Sequence, residues 1–429
     1  MHPRPETRAT IAVLTLFTLT ACTDAVTTPV SDPHMARAST FVPTLSTQAE
    51  LKVDVGEQLF NDQRLSIRGN QSCASCHDAK AGCTASNNLV NLTGSVMPGS
   101  ISGRFGNRRP MSTAYTATTP VMFYDAVEDS FVGGMFWDGR ATGRVTGSAG
   151  ADQATGPFLN PAEMGMPDKA CVVFGVQTAA YVAKYKAVFG NRIAAIAFPN
   201  TTRTLCGREG TTVPLSAADR VKVDSEYVNV AFSIVAFEGS DRMSPFSSKY
   251  DRSLVGQDRL SPQEQQGLTL FTTKANCANC HTPGSRSVFT TFEHYNTGIP
   301  ANPLNPALLQ GGTADIGLGN TLNDRTRDGQ MKVPTIRNAD KRANFFDVKS
   351  YMHNGAFKTL EQVVHFYNTR DVLPKCRGFM LPGDPRFGRD CWPAPEIADN
   401  VLQDEIGNLK LTPQEEAAIV AFLKTLSDR

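Results

Sequence analysis

The sequence predicts a mostly α-helical chain made of two related halves joined and interrupted by long irregular loops. Three observations carry that expectation. Helix starts recur as a capping hydroxyl followed by proline, in Ser261-Pro262 and Thr412-Pro413, where the missing proline N–H costs nothing. No run of alternating apolar and polar residues is sustained long enough to mark a strand. The motif Cys73-Ala-Ser-Cys76-His77 returns as Cys277-Ala-Asn-Cys280-His281, and similar helical ends precede the two copies, Gly56-Glu-Gln-Leu59-Phe60 and Gly267-Leu-Thr-Leu270-Phe271.

In chain order, the first residues read as an export signal. Arg4 and Arg8 give a basic start, Ala9 to Leu19 an apolar stretch, and Leu19-Thr20-Ala21-Cys22 a small-residue cleavage site. Residues 1–21 are expected to be a lipoprotein-type signal peptide, too short to remain as a membrane-spanning helix. Cys22 after Leu-Thr-Ala resembles a bacterial lipobox, which implies an acylated Cys22 and a periplasmic, membrane-anchored lipoprotein; ordinary cleavage nearby is the alternative. Residues 22–45, rich in Thr, Ser, Pro and Ala, read as a flexible tether, with order beginning near Thr47. Helices are expected over 217–237 after Ser216, 262–271, 359–367 and 413–426, whereas 81–120 and 300–332 are rich in Gly, Asn and Pro and read as irregular. A length of 429 residues suits two domains, expected at 46–250 and 251–429.

The repeated motif carries the chemistry. Two thiols two residues apart can both form thioethers to one porphyrin while the adjacent imidazole ligates its iron, so in an exported protein Cys-x-x-Cys-His is the attachment signature of haem c. Two copies predict two covalently bound haems, through Cys73 and Cys76 with His77 on the first iron, and Cys277 and Cys280 with His281 on the second. A zinc knuckle would need further ligands at matching spacing, and a redox Cys-x-x-Cys would leave the following His unexplained twice. The fold class is therefore two mostly helical, cytochrome-c-like haem domains with long irregular loops. Of the ten Cys, Cys171 with Cys206 and Cys376 with Cys391 are the expected disulfides, with Cys83 left over; spacing alone does not fix that connectivity. A net charge of +1, falling to about zero without the signal peptide, gives nucleic acid nothing to hold.

Further segments resemble the bacterial di-haem cytochrome c peroxidase and MauG superfamily: Phe136-Trp137-Asp138-Gly139-Arg140, Gln153-Ala-Thr-Gly-Pro157 to Glu163-Met164-Gly165, Lys332-Val-Pro-Thr-Ile-Arg-Asn338, and Met352-His353-Asn-Gly to Tyr367-Asn368. The resemblance runs from about Gly56 to Phe422. It implies that hydrogen peroxide reacts at the N-terminal, peroxidatic haem, whose open face Gln153, Pro157 and Glu163 line. A buried carboxylate suits peroxide cleavage, taking a proton from one oxygen and returning it to the other. Trp137 matches the family's electron relay between the haems, and Arg140, Arg337 and His353 are candidates for holding propionates or an interdomain water network.

Classical peroxidases of the family cap the first iron with a His from the loop after its motif. Here the seven His are His2, His34, His77, His281, His294, His353 and His365, and none lies between His77 and His281. The expectation is a first iron open to peroxide without prior reduction. At the second, electron-transfer haem the family's peroxidases place a Met fourteen residues beyond the His of the aromatic-His segment; from His353 that step lands on Tyr367, as in MauG. Tyr367 is thus the expected distal ligand, with Met352, Met331 and Met380 competing, and a core aromatic on the face of Leu360, Val363 and Val364 the plainer reading. A phenolate stabilises oxidised iron, whereas a thioether stabilises reduced iron. The family's interdomain calcium points to Asn107 and the backbone oxygens of Val348 and Ser350, although the Asn is displaced in Asn107-Arg-Arg-Pro110 and Val348-Lys-Ser350 replaces Thr-x-Pro.

The resulting expectation is a di-haem enzyme that uses the high-valent di-haem state generated by peroxide to oxidise a partner protein, MauG-like and directed at a residue such as Trp. A peroxidase fed with electrons by a small soluble cytochrome is the alternative. A non-enzymatic di-haem electron carrier is the third reading.

Overall fold

The computed structural model describes residues 45–378 and 380–429. The expected signal peptide, Cys22 and the tether up to residue 44 lie outside the described residues. The longer helices are α1 (Leu45–Asn61), α2 (Ala149–Leu159), α3 (Lys169–Gln177), α4 (Val182–Phe189), α5 (Ala217–Glu238), α6 (Pro262–Thr272), α7 (Leu360–Thr369) and α8 (Pro413–Lys424). The predicted starts are the observed ones. Ser216, Ser261, Thr359 and Thr412 each accept a hydrogen bond from the backbone N–H three residues on, and Ser261 with Glu264 and Thr412 with Glu415 close capping boxes.

One short hairpin and one long-range antiparallel pair add the only β-pairing in named strands among the described residues. Strand β1 (Phe123–Asp125) pairs antiparallel with β2 (Ser130–Val132), with Phe123 opposite Val132. Strand β3 (His294–Tyr295) pairs antiparallel with β4 (Met331–Lys332), with His294 opposite Lys332. Strands of two or three residues are too short to leave an alternating pattern in sequence.

One packing arrangement occurs twice. Helix α1 crosses α5 at Gly56, where a Cβ would lie 1.9 Å from the Ser233 carbonyl oxygen and 2.8 Å from Phe237 Cβ. Helix α6 crosses α8 at Gly267, where a Cβ would lie 1.9 Å from the Ala418 carbonyl oxygen and 2.8 Å from Phe422 Cβ. In the next turn Phe60 meets Phe237 at 5.3 Å between ring centroids, and Phe271 meets Phe422 at 5.2 Å. The similar helical ends in the sequence thus mark helices whose backbones must touch. Each crossing belongs to its own apolar cluster, one including Leu59, Phe60, Tyr185, Val230 and Phe237, the other Phe271, Phe357, Phe366, Trp392 and Phe422.

Both expected disulfides form, Cys171–Cys206 between α3 and the short helix Thr202–Cys206, and Cys376–Cys391 across the loop after α7. Cys83 is the odd thiol, buried against Met243 with sulfurs 3.3 Å apart. No described helix is long and apolar enough to cross a membrane.

Candidate active site: two cavities and the residues between them

Each Cys-x-x-Cys-His motif opens onto a cavity. The first, about 180 Å³ measured for the centres of water molecules, is lined by Cys73, Cys76, His77, Gln153, Pro157, Glu163 and Trp137. The second, about 220 Å³ on the same measure, is lined by Cys277, Cys280, His281, Tyr367, Met331, Met352, His353 and again Trp137. None of the four motif thiols is in a disulfide.

Local geometry prepares both imidazoles as ligands. His77 Nδ1–H donates to the Cys83 carbonyl at 3.2 Å and His281 Nδ1–H to the Phe289 carbonyl at 2.9 Å. A carbonyl only accepts, so in each ring Nε2 carries the free lone pair that metal ligation needs. Burial lowers both pKa values, which also favours the neutral, ligating form.

Unspent donors around the cavities fit a bound haem, whose two propionates bring negative charge. Arg109 lines both cavities, donates from Nε to the Met352 carbonyl at 3.1 Å, and has no carboxylate partner among the described residues; burial pulls its pKa down to about 10. Lys332, lining the second cavity, is 3 % exposed, hydrogen-bonds only weakly to Thr119 Oγ1 at 3.5 Å and Met135 Sδ at 3.4 Å, lies 5.4 Å from the centroid of the Phe292 ring, and is lowered by burial to about 7. The Tyr351 hydroxyl, lining the second cavity, is buried without a hydrogen-bond partner. Buried cations and donors are costly unless something anionic completes them. Arg109 and Tyr351 do not stand out in the sequence, and Lys332 does so only as the start of a family-like segment, because each acquires its role from tertiary placement.

Helix α2 positions Gln153 and Pro157. Sequence gave no warning of it, since Gly150, Gly156 and Pro157 are poor interior residues. It forms because the Ser148 hydroxyl caps it and Ala151, Ala154 and Phe158 bury one face. The chain then turns, and Gly99 admits the turn closely: a Cβ there would lie 2.5 Å from the Ala162 carbonyl oxygen. Glu163 faces the same cavity. Burial raises its pKa, while Arg140 and Asn160 pull it down. Among the described residues His77 is the only histidine lining this cavity.

Trp137 is 5 % exposed and donates from Nε1 to the Arg109 carbonyl at 2.9 Å. Its loop has a counterpart in the other half. Met135 and Ala141 bridge across Phe136 to Arg140, with Phe136 at φ +65° and Gly139 at φ +68°; Tyr351 and Phe357 bridge across Met352 to Ala356, with Met352 and Gly355 both at φ +69°. Trp137 and His353 hold the same place in the two loops and pack edge to face, 6.4 Å between centroids. An ionic chain flanks them: Asp138 pairs with Arg140 and Arg108, Arg108 is bidentate to Asp315 at 2.5 and 2.7 Å, and Glu396 holds the Asp315 backbone N–H and His353 Nε2, each at 3.1 Å.

Other expected residues fall differently. Arg337 lines the second cavity but its guanidinium is spent, with two 2.8 Å hydrogen bonds to Asp251 and one of 2.5 Å to the Ser287 carbonyl. Met380 lines neither cavity and packs on the Cys376–Cys391 disulfide. Met352 Sδ lies 4.0 Å from Tyr367 Oη, so the phenol and the thioether sit together. The phenol's pKa is raised, by burial first and then by Cys280.

The residues expected to hold calcium make contacts of their own. Asn107 Nδ2 donates to Asp315 Oδ2 at 3.4 Å, the Val348 carbonyl accepts from Asn91 Nδ2 at 2.9 Å, and the Ser350 side-chain hydroxyl donates to Asn91 Oδ1 at 3.0 Å. No cluster of three or more acidic, His or Cys ligands occurs among the described residues.

Comparison with known proteins agrees with this geometry. The family model for di-haem cytochrome c peroxidases matches residues 50–259. The methylamine utilization protein MauG of Paracoccus denitrificans is 32% identical over 388 residues, covering 87% of this chain and 88% of that protein. The cytochrome c551 peroxidase of Nitrosomonas europaea is 27% identical, covering 72% and 71%. Among solved structures, the diheme peroxidase BthA from Burkholderia thailandensis matches with TM-score 0.65 at 27% identity, covering 88% of this chain and 86% of that one. A MauG-like protein associated with microbial copper homeostasis matches with TM-score 0.59 at 26% identity, covering 88% and 90%. With two haem-attachment motifs on two cavities and a relative this similar over most of its length, the chain belongs to the di-haem cytochrome c peroxidase and MauG family and is a peroxidase-type oxidoreductase.

Proposed function

We propose that this protein reacts with hydrogen peroxide in the first cavity and uses the oxidising equivalents to oxidise a partner protein, in the manner expected of a MauG-like enzyme. The carrying observation is that Tyr367 and His281 line one cavity and Trp137 lines both. Bound haem c would supply, in each cavity, an iron able to exchange electrons with peroxide and with its counterpart. The chain's own residues do the rest. Cys73, Cys76 and His77 hold the first group, and Cys277, Cys280 and His281 the second. Glu163 accepts a proton from the attacking peroxide oxygen and returns it to the departing one, while Gln153 and Pro157 shape the space beside it. Trp137 conducts between the cavities, and Tyr367 offers its phenol oxygen to the second metal, favouring its oxidised state.

Met352, beside Tyr367, favours a second reading. Should its sulfur occupy the metal instead, the protein is a peroxidase taking electrons from a small soluble cytochrome. Magnetic and optical spectra of the resting oxidised holoprotein, before and after one equivalent of peroxide without reductant, separate the two. A high-spin centre that responds at once, with Tyr367→Phe but not Met352→Leu changing the second centre, supports the partner-oxidising reading. Inertness until half-reduction, with Met352→Leu changing that centre, overturns it.

The export signal and Cys22 support a periplasmic placement, and globomycin-sensitive processing of the full-length precursor is its test. The two haem-bearing halves are proposed as domains spanning 46–250 and 251–429.

A further inference from the structure

The segment expected to offer backbone oxygens to calcium carries a cation of its own. Lys349, between Val348 and Ser350, is 5 % exposed, and its Nζ donates to three backbone carbonyls: Ala81 at 2.7 Å, Lys341 at 2.8 Å and Asn338 at 3.2 Å. A neutral amine has only two N–H groups, so three acceptors are satisfied together by the ammonium form alone. Burial, with Arg109 and Arg342 adding to it and Asp340 and Cys83 opposing, lowers the Lys349 pKa to about 7; the three-carbonyl geometry is what selects the ammonium.

The three oxygens come from both halves. Ala81 lies four residues beyond His77, in the turn that ends at Cys83, whose carbonyl receives the His77 ring N–H. Asn338 closes the Lys332-to-Asn338 segment and Lys341 follows it. The turn is shaped for this contact: Gly82 has φ +68°, and a Cβ there would lie 2.8 Å from Asn338 Cβ, 2.8 Å from the Asn338 carbonyl oxygen and 3.3 Å from Lys349 Nζ. Four residues after Lys349 along the same segment come His353 and its contact with Trp137.

We propose that the Lys349 ammonium is a built-in structural cation that locks the loop behind His77 to the segment bearing Tyr351, Met352 and His353, so that communication between the two sites needs no bound metal ion. The inference goes beyond the proposed function and does not depend on which protein is oxidised. Lys349 is a positioning residue, acting through the backbone on both sites.

Two measurements on the two-haem holoprotein test it. Wild-type protein dialysed against ethylenediaminetetraacetate should hold less than a tenth of a calcium per chain, and its resting spectrum and its spectral response to peroxide should be unchanged on chelation or on adding calcium. Stoichiometric calcium whose removal alters either spectrum overturns the proposal. Lys349→Met, which keeps length but not charge, should retain two haems per chain and lose at least tenfold in the rate at which peroxide added at the first site changes the spectrum of the second. An unchanged rate overturns it as well. If Lys349→Met fails to assemble, Lys349→Arg, which keeps the charge, should recover the haem content, and equal failure of both overturns the role of the charge. The calcium measurement on wild-type protein decides independently of either variant. Because these readouts are metal content and spectra, they stand even if the oxidising equivalents are quenched by electrons from a small cytochrome rather than passed to a partner protein.

Discussion

Replacing Glu163 by Gln is the sharpest perturbation of the first cavity. The amide keeps size and polarity but can neither take a proton from peroxide nor return one. Positioned proton transfer contributes about 10²–10⁴-fold to a rate, or roughly 2.7–5.5 kcal/mol at about 1.36 kcal/mol per decade. Glu163→Gln should therefore lower the bimolecular rate of peroxide reaction by about 10²–10⁴ while both haems and the resting spectrum remain. The pH profile supplies a second reading. Burial lifts the Glu163 pKa above its ordinary value and Arg140 opposes that lift. The active form is the carboxylate, so the rate should fall on acidification through this raised pKa. Arg140→Gln removes the opposing charge and should move that limb to higher pH, and Glu163→Gln should abolish it. Stopped-flow mixing with peroxide from pH 4 to 8 measures each outcome. A Glu163→Gln rate within about threefold of wild type, or an identical acidic limb, would refute the proton-transfer role.

Trp137→Phe should leave peroxide reaction at the first site nearly intact but slow the spectral response of the second by at least tenfold, since Trp137 lines both cavities; equal rates at both would remove the indole from the route. Gly267→Ala places a Cβ 1.9 Å from the Ala418 oxygen where ordinary contact begins at 3.4 Å, so α6 and α8 must part by roughly 1.5 Å. Calorimetry should show a loss of about 1–3 kcal/mol, and Gly56→Ala should do the same in the other half. Cys171→Ala with Cys206→Ala opens a link spanning 35 residues, worth about 4 kcal/mol on chain-entropy grounds, which denaturant titration would register.

The parts of this molecule governed by local chemistry were legible in its sequence. Capped helices at Ser216, Ser261, Thr359 and Thr412, the paired disulfides, and the convergence of Glu163, Gln153 and Pro157 beside His77 all follow from spacing, composition or family motif. What escaped depends on tertiary neighbours. Helix α2 overrides the weak propensity of its glycines and proline because its small residues fit against α5. Arg109 and Arg337 look alike in sequence, yet only Arg337 meets a carboxylate. The likeness of the Trp137 and His353 loops lies in backbone angles that two dissimilar sequences share.

The carbonyl acceptors that orient His77 and His281 have an implication for sequence drift. Because Cys83 and Phe289 contribute main-chain oxygen, replacing either side chain leaves the acceptor in place. Loop length is another matter: one residue inserted or deleted between His77 and Cys83, or between His281 and Phe289, would swing the acceptor away and let the ring rotate. Homologous chains should therefore keep these two lengths fixed while side chains vary around Gly82, whose φ of +68° and approach to Asn338 admit no Cβ, the reverse of what is usual for surface loops.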